Sequence, residues 1–397
     1  CQFKFNHHRR SFAIYNKFCF TFGGSSDKLK FAELRVNELR LLNMPDSCLT
    51  PILKNEKAYF SALADHCNKF KGADNMRALW QISSTLVLFA LSLGGMFYAA
   101  ASSNWLLYAG LLLPTAGFLV RLFIIQHDCG HNSYFSSRAL NDWTGRALSI
   151  LTWTPYHFWR RTHNMHHASS GNLDKRGYGA IDTITVEEFR SLSPGRRLAY
   201  RLYRNVFLLL GLGTPLFVII VQRFWVTEPF MPEFASKAQM KGAWKGILTT
   251  NITLAVIFGG AGYLLGFGLL AVVYLPVLIL TAQIGGWLFY IQHQFEDTFW
   301  ARKENWNFNK AAVMSSSYYD LPKLFQWFSG NIGLHHIHHL NMAVPNYKLQ
   351  KCLETHPDLP NINRMTFRDS LKTLKLALWC ENQKRLISFR DLKIHAA

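Results

Sequence analysis

Acidic residues are scarce in this chain, which carries 24 Asp and Glu against 43 Lys and Arg among its 397 residues and has a formal net charge of +19. A balance this basic points to nucleic acid, anionic lipid or an acidic protein as a partner. The sequence contains no nucleic-acid-binding motif, and its basic residues flank apolar stretches. It therefore favours lipid and an acidic protein, and predicts no nucleic-acid partner.

Cysteines are few and follow no pattern. The seven are scattered, odd in number and without a CxxC pair, which argues against a disulfide framework and against a zinc ribbon. The chain shows no signal-peptide pattern of charged start, short apolar core and small-residue cleavage site. It starts at Cys1 and its first methionine is Met44. Residues 1–43 follow no pattern, and we expect them to be an unstructured, non-native or upstream segment.

Apolar residues are abundant, at 49% of the chain with 15% aromatic and only 17% charged, which fits a membrane protein with sizeable polar parts. Two apolar segments, 79–101 and 105–126, each provide the ~20 residues that a bilayer helix needs. Lysines before the first segment place the N-terminus in the cytoplasm, because cytoplasmic loops carry the excess of positive charge. We therefore expect a cytosolic segment over 44–78 and a transmembrane hairpin over 79–126.

A long basic segment follows, and by the same rule residues 127–246 are predicted to be cytosolic. Three more apolar stretches lie at about 206–225, 247–267 and 269–292. If all three crossed the bilayer, the polar segments before and after them would lie on opposite sides. The first stretch contains glycines and a proline between flanking arginines, so we predict that it is the one that does not cross.

The predicted fold class is therefore an all-α integral membrane protein with four transmembrane helices in two hairpins. Interfacial or re-entrant helices and a helical cytosolic cap complete it. The hairpins are 79–126 and 247–292, the re-entrant or interfacial segment is 206–225 within the cytosolic region, and the cap is 293–397.

Histidines recur at a matched spacing in three places. His127-Asp-Cys-Gly-His131 has two at i, i+4, whereas His163-Asn-Met-His-His167 and the run 335–339 each have three at i, i+3 and i+4. This spacing places the imidazoles of each run on one face of a helix. His293 adds a ninth imidazole. Because imidazole is a common metal ligand and a single site needs about four, nine of them predict two metals with coordination positions left over.

Open coordination positions on iron suit oxygen activation. Two irons at a membrane face would reduce O2 to an oxidant that removes hydrogen from an unactivated methylene of an apolar substrate. A zinc hydrolase is the chemical alternative, but the chain has no HExxH-type motif that pairs a metal site with a general base.

The three runs HDCGH, HNMHH and HHIHH resemble the histidine boxes of the membrane fatty acid desaturases. The likeness extends to Trp287-Leu-Phe-Tyr-Ile-Gln-His-Gln-Phe-Glu-Asp297, Gly330-Asn-Ile-Gly333 and His339-Leu-Asn-Met-Ala-Val-Pro-Asn-Tyr347. These segments are similar to the bacterial acyl-lipid desaturases, which act on phospholipid acyl chains, and the resemblance covers roughly residues 79–395.

The resemblance implies two iron ions with O2 as co-substrate, and it assigns nine ligands in two sets. One iron would take His127, His131, His163, His167 and His338. The other would take His166, His293, His335 and His339. The pattern leaves His336 unassigned, and it would replace His335 only if the local helix were irregular. Some further residues are expected to lie just outside the ligands, where they would hydrogen-bond to or pack against the ligand imidazoles. They are Asp128, His157, Asp182, Glu296, Asp297, Asn331 and His336.

Electrons must come from a separate protein. The nearest string to the HPGG haem motif of a fused cytochrome b5 domain is His356-Pro-Asp-Leu, which lacks both glycines, and no dinucleotide-binding glycine loop follows a strand. A basic cytoplasmic face suits an acidic donor of the ferredoxin or flavodoxin type.

The predicted function is that of an oxidoreductase of the bacterial cytoplasmic membrane. With its active site on the cytoplasmic side, it would insert a cis double bond into a phospholipid acyl chain. Two alternatives stay open: a related di-iron hydroxylase or carotenoid ketolase, and a histidine-rich metal transporter. Transporters place their ligands near the bilayer midplane, whereas these histidines lie beyond the ends of the predicted spans.

Overall fold

The computed structural model describes residues 46–177, 181–224 and 237–393, so the predicted unstructured segment 1–43 lies outside it. Helices dominate the described chain, as the sequence predicts. Five of them are long and apolar enough to cross a membrane.

The first apolar hairpin follows the N-terminal helix α1, and its bounds extend a few residues beyond the predicted 79–126. Asp74 and Asn104 cap its two helices by accepting backbone N–H groups in the first turns. The second of these helices continues through His127, so the first histidine box begins in its last turn. The three helices are α1, Asp46–Asn68, α2, Asn75–Ala101, and α3, Trp105–Gly130.

The second apolar hairpin turns at Gly266, within the glycine-rich stretch near the middle of the predicted 247–292. Gly266 has a φ of 88°, a left-handed conformation that glycine adopts without steric cost. His293 is the last residue of the returning helix. The two helices are α9, Lys237–Leu265, and α10, Phe267–His293.

The segment predicted to be re-entrant or interfacial is a continuous helix, α8, Val206–Phe224. Two stretches within it, Leu209–Gly213 and Phe217–Val221, are π-helical. Its length and composition would suffice for a span, so these properties alone do not decide whether it crosses. The four-span topology stays a prediction at this point.

The remaining helices lie between and after the hairpins. Those between them are α4, Arg138–Thr152, α5, Tyr156–Ser169, α6, Val186–Ser191, and α7, Pro194–Tyr203. Those after them are α11, Phe308–Met314, α12, Lys323–Phe328, α13, His335–Leu340, α14, Asn346–Glu354, and α15, Phe367–Lys372.

The C-terminal region also contains two small sheets that the predicted helical cap omits. Strands β1, Tyr318–Tyr319, and β2, Arg364–Met365, pair in parallel. Strands β3, Leu376–Cys380, and β4, Arg385–Ser388, form an antiparallel hairpin. Two-residue strands leave no alternating pattern in a sequence, which is why β1 and β2 escape prediction.

A buried apolar cluster holds the third histidine run in place. Leu334 and Ile337 are fully buried against Phe60 and Leu63 of α1. The imidazoles of α13 are therefore carried by a rigid element rather than by a loop.

Candidate metal centre

The nine predicted ligand histidines come together from four helices. They lie at the ends of the two returning hairpin helices α3 and α10 and along the shorter helices α5 and α13. All of them are buried except His131, which is partly buried. The structure thus brings every histidine of this prediction to one place.

The histidines form two neighbouring groups. Within each group, one ring nitrogen per residue lies within 4.8 Å of that of every other member. The five-imidazole group consists of His127, His131, His163, His167 and His338. The four-imidazole group consists of His166, His293, His335 and His339. These groups have the same members as the two sets implied by the resemblance, and helices α5 and α13 contribute to both.

Ring nitrogens face one another inside the five-imidazole group. The Nε2 atom of His167 lies 3.0 Å from that of His163 and 3.1 Å from that of His338. A neutral imidazole has a single N–H donor and a single acceptor nitrogen. One nitrogen facing two others is therefore poorly served by hydrogen bonds alone, whereas a shared cation would satisfy all three.

In the four-imidazole group, the contacts of His293 show which of its ring nitrogens carries the proton. The Nδ1 atom of His293 lies 2.9 Å from the carbonyl oxygen of Ser315, so Nδ1 must carry the proton that it donates. The Nε2 atom of His293 is then a lone-pair acceptor, 3.1 Å from that of His166 and 3.0 Å from that of His335. Such a convergence of Nε2 atoms fits a metal ion at their centre.

Several of these nitrogens have no hydrogen-bond partner among the described residues. They include Nε2 of His127 and both ring nitrogens of His339. Leaving a buried polar atom unsatisfied costs about 1–3 kcal/mol. The donor set therefore fits a bound metal on its own chemistry.

The buried histidines favour the neutral form that binds metals. Burial, reinforced by the neighbouring imidazoles, lowers the pKa of seven of them well below the usual value, namely His131, His163, His166, His167, His335, His338 and His339. Uncharged rings packed this closely do not repel one another, and their lone pairs stay available as ligands.

A carboxylate supports the five-imidazole group. Asp128 is buried and its Oδ1 atom lies 3.1 Å from Nδ1 of His127. Its other oxygen accepts hydrogen bonds from the backbone N–H of Asn346 at 2.6 Å and from the side-chain amide of the same residue at 2.8 Å. Asn331 in turn donates to the backbone carbonyl of Asn346. The hydrogen bonds from Asn346 thus hold the Asp128 carboxylate in place, and the carboxylate in turn holds the His127 ring in one orientation.

The chain is similar to known proteins over the region that contains the two imidazole groups. The family model for fatty acid desaturases matches residues 103–369, a range that includes all nine histidines. The chain belongs to the fatty acid desaturase family. A protein of Bacillus subtilis (strain 168) named "Fatty acid desaturase" is 39% identical over 324 residues, which cover 82% of this chain and 89% of that protein.

Cyanobacterial members of the desaturase family are more distant. A Synechocystis protein named "sn-1 acyl-lipid omega-3 desaturase (ferredoxin)" is 29% identical over 65% of this chain and 70% of its own length. An Anabaena variabilis protein named "sn-1 oleoyl-lipid 12-desaturase" is 26% identical over 70% of this chain and 75% of its own length.

Not every predicted supporting residue contacts the histidine groups of this desaturase-family chain. His336 is buried but points away, with its Nε2 3.1 Å from the carbonyl oxygen of Leu359. His157 is exposed and lies against Gly246 of α9. Asp182, Glu296 and Asp297 are also exposed. Closeness in sequence to a ligand therefore does not place these five side chains at the centre, while Asp128 and Asn331 do lie in the supporting network.

Two contributing residues are missing from the sequence prediction. Asn346 holds Asp128 although it lies 218 positions away in the chain, and nothing local to either residue reveals the pair. Trp159 stacks on His163, with ring centroids 4.8 Å apart and planes at 14°. Because Trp159 precedes His163 by one helical turn, the i, i+4 rule would have found it.

A small pocket lies beside the four-imidazole group. His166 and His293 form its inner wall, and Phe289 and Trp300 add apolar surface. Lys175 and Arg176 lie on its lining as well. The four-imidazole group therefore borders this pocket, while His131 of the five-imidazole group is partly exposed.

Proposed function

We propose that this chain is an O2-dependent acyl-lipid desaturase that inserts a cis double bond into the acyl chain of a membrane lipid through a non-haem di-iron centre. The observation that carries the proposal is the pair of adjacent imidazole groups, found in a chain of the fatty acid desaturase family. The names of the cyanobacterial relatives support a lipid-borne acyl chain as the substrate.

The nine imidazoles would hold one iron in each group, and bound iron supplies the oxygen activation that attack on an unactivated methylene requires. Asp128 orients His127, and the Ser315 carbonyl fixes the tautomer of His293 so that its Nε2 faces the centre. In the overall reaction two adjacent methylenes lose one hydrogen each. Those two hydrogens, with two electrons from the donor and two protons from solvent, reduce one O2 to two waters.

The pocket beside the four-imidazole group is our candidate approach for the acyl chain. Its inner wall carries two imidazoles of that group, and Phe289 and Trp300 provide apolar contact for methylenes. Lys175 on its lining suits the polar or anionic end of a lipid, whereas Arg176 is paired with Glu188 at 2.6 Å. Substrate entry by this route places the reacting carbons nearest to the group with fewer ligands.

The topology that we propose has four spans and places the histidines on the cytoplasmic side of the bacterial cytoplasmic membrane. Contacts at both ends of α8 support a segment that does not cross. Before its start, Arg204 donates to Gln294 at 2.6 Å, next to His293. Near its end, Arg223 donates to Asn251 at 3.0 Å.

The position of Asn251 along α9 gives the depth of the second contact. Asn251 is about 8 Å beyond Gly246, which packs against His157, and about 22 Å short of the hairpin turn at Gly266. A crossing helix would bring Arg223 close to that turn. The contact with Asn251 instead places it nearer to the histidine side.

The electron donor in this proposal is an acidic protein of the ferredoxin or flavodoxin type. Arg161, Arg196 and Arg197 are exposed, and Arg160 is partly exposed beside its ion-pair partner Asp142. We expect turnover with purified ferredoxin to slow as ionic strength rises and after charge reversal at these arginines. Turnover insensitive to both changes would contradict this partner.

A related di-iron hydroxylase or carotenoid ketolase is the second candidate, and the named relatives favour desaturation over it. A metal transporter is disfavoured, because the histidines gather at the ends of the hairpin helices rather than in their middles. Mass spectrometry of lipids after expression in a host without polyunsaturated lipids separates these candidates. An alkene supports the proposal, whereas an alcohol, a ketone or unchanged lipid contradicts it.

A histidine substitution tests the metal centre itself. His166→Ala should abolish the new double bond while the chain stays in the membrane, because His166 belongs to the four-imidazole group. His157→Ala is the matched control, since His157 lies on the same helix but is exposed. Full activity of His166→Ala would exclude the di-iron mechanism.

A further inference from the structure

Two short helices of the C-terminal region expose large apolar side chains. These side chains, which we call the apolar wedge, are 37–62% exposed although the region was predicted to be a cytosolic cap. They are Leu324, Phe325 and Trp327 of α12 and Phe367 and Leu371 of α15.

The parallel strand pair brings the two helices to one edge. Tyr319 of β1 is paired with Met365 of β2. Helix α12 begins four residues after Tyr319, and α15 begins two residues after Met365. Because parallel strands run in the same direction, both chains leave the pair at the same end. Helices α12 and α15 therefore both begin at this end of the strand pair.

Helix α12 lies beside the apolar part of a candidate span. The rings of Trp327 and Phe328 lie 6.1 and 5.3 Å from that of Phe118 on α3, and a Cβ atom at Gly117 would meet Phe328. Gly117 precedes His127 by ten residues, about 15 Å along the helix axis. The tip of α12 is thus well below the histidine end of α3, at a depth where lipid surrounds a spanning helix.

Arg121 fixes α12 at this depth. The Arg121 guanidinium lies 4.1 Å above the Trp327 ring and donates a hydrogen bond to the Trp327 carbonyl at the end of α12. Its Nε donates to Thr85 of α2 at 3.2 Å. One buried cation therefore ties α12 to both helices of the first hairpin.

The charges around the wedge complement a lipid surface. Lys323 and Arg368 are exposed beside the apolar side chains. Lys372 is exposed as well and pairs at 2.7 Å with Asp369, the single acidic residue in the sequences of α12 and α15. Exposed aromatic and aliphatic residues flanked by basic ones are typical of segments at the membrane interface. Anionic headgroups attract such basic residues electrostatically.

We propose that the apolar wedge is inserted into the cytoplasmic leaflet, with its apolar side chains among lipid acyl chains and its basic residues among anionic headgroups. The wedge continues the lipid-facing surface of α3. Since α12 leads through Gly330 directly into α13, insertion would dock the third histidine run on the bilayer. This inference does not depend on the reaction that the centre catalyses.

The test compares single cysteines introduced into the full chain in nanodiscs of anionic phospholipid, which leave both faces open to solvent. Phe325→Cys and Leu371→Cys report on the wedge. Glu304→Cys, exposed on a turn of the same region, is the water-facing control, and Val256→Cys, exposed midway along α9, is the lipid-facing control. The parent chain gives the background from its native cysteines.

Labelling by a bulky polar maleimide should be at least about tenfold slower at the two wedge positions than at Glu304→Cys, and similar to Val256→Cys. A bimane attached at the wedge positions should be quenched by nitroxide-bearing lipids. Labelling as fast as at Glu304→Cys would overturn the proposal. Slow labelling without quenching by lipid would also overturn it, because protein, for example a second copy of the chain, would then cover the wedge.

Discussion

The two imidazole groups differ in how they are supported and in what lies next to them. The five-imidazole group is backed by a buried carboxylate, Asp128, which Asn346 holds with two hydrogen bonds. The four-imidazole group is backed by a backbone carbonyl, that of Ser315, and it borders the pocket. One group is oriented by a buried carboxylate and includes the partly exposed His131, and the other is oriented by a backbone carbonyl and lies beside the pocket.

This difference teaches that two candidate metal sites built from the same residue type need not be equivalent. Four ligands leave more coordination positions free than five, and the group with four lies beside the pocket. A carboxylate behind an imidazole makes that ligand more electron-donating than a carbonyl does. We therefore expect the five-imidazole group to hold its metal more tightly and the four-imidazole group to be more sensitive to loss of a ligand.

The largest expected effect separates the groups directly. His335→Ala leaves three imidazoles in its group and should lower iron from two ions per chain to about one, with a loss of desaturation greater than about 100-fold. His338→Ala leaves four imidazoles in its group, so more of its iron should be retained. Metal analysis of the purified proteins and product analysis of lipids measure both effects. Equal iron loss in the two variants would show that the groups do not differ as proposed.

The carboxylate behind His127 gives the next effect in size. Asp128→Asn removes the charge that orients this ring, and we expect metal affinity and activity to fall by about 10–100-fold. Glu296→Gln is the matched control, because Glu296 is an exposed carboxylate paired with Arg385. Titration with a chelator compares the two variants. If Asp128→Asn binds iron as tightly as the parent does, the carboxylate does not contribute to the difference between the two imidazole groups.

Sequence reasoning could find most members of the two imidazole groups because the spacing within each run is local. Residues at i, i+3 and i+4 share a helix face, whereas His336 is one residue out of phase with His335 and so points elsewhere, toward Leu359. The same reasoning could not find Asn346, whose contact with Asp128 joins distant parts of the chain. Sequence reasoning also predicted that Glu296 lies beside the histidines, whereas it is exposed and paired with Arg385. Proximity in sequence does not give the direction of a side chain.

The apolar surface of the C-terminal region escaped prediction for a related reason. Helix α12 has only six residues, too few to register as a membrane segment in a hydropathy search. Its depth follows from contacts with α3, about 200 positions earlier in the chain. Long apolar helices are readable from sequence alone, but a short helix packed beside them is not.

Loss of the Asn346 side chain should have a smaller effect than loss of Asp128. Asn346→Ala removes the side-chain hydrogen bond to Asp128 and the one from Gln81, at 2.8 and 2.7 Å, but keeps the backbone N–H that also binds Asp128. We expect a decrease in activity several-fold smaller than that of Asp128→Asn. Combining the two substitutions in one chain should add little to the effect of Asp128→Asn alone. Fully additive losses would show that Asn346 acts independently of the carboxylate.

The smallest effect on the metals is expected at His336, which shares a run with three ligands. Its imidazole is buried and bonded to the Leu359 carbonyl, so His336→Ala should lower the free energy of unfolding by about 1–3 kcal/mol from the lost hydrogen bond. Both irons should stay bound, because the ring belongs to neither group. Thermal unfolding of the purified protein measures the first effect, and metal analysis beside His335→Ala measures the second. If folded His336→Ala lost as much iron as His335→Ala, His336 would have to be counted among the metal ligands. The two groups would then no longer be distinguished from their neighbouring histidine.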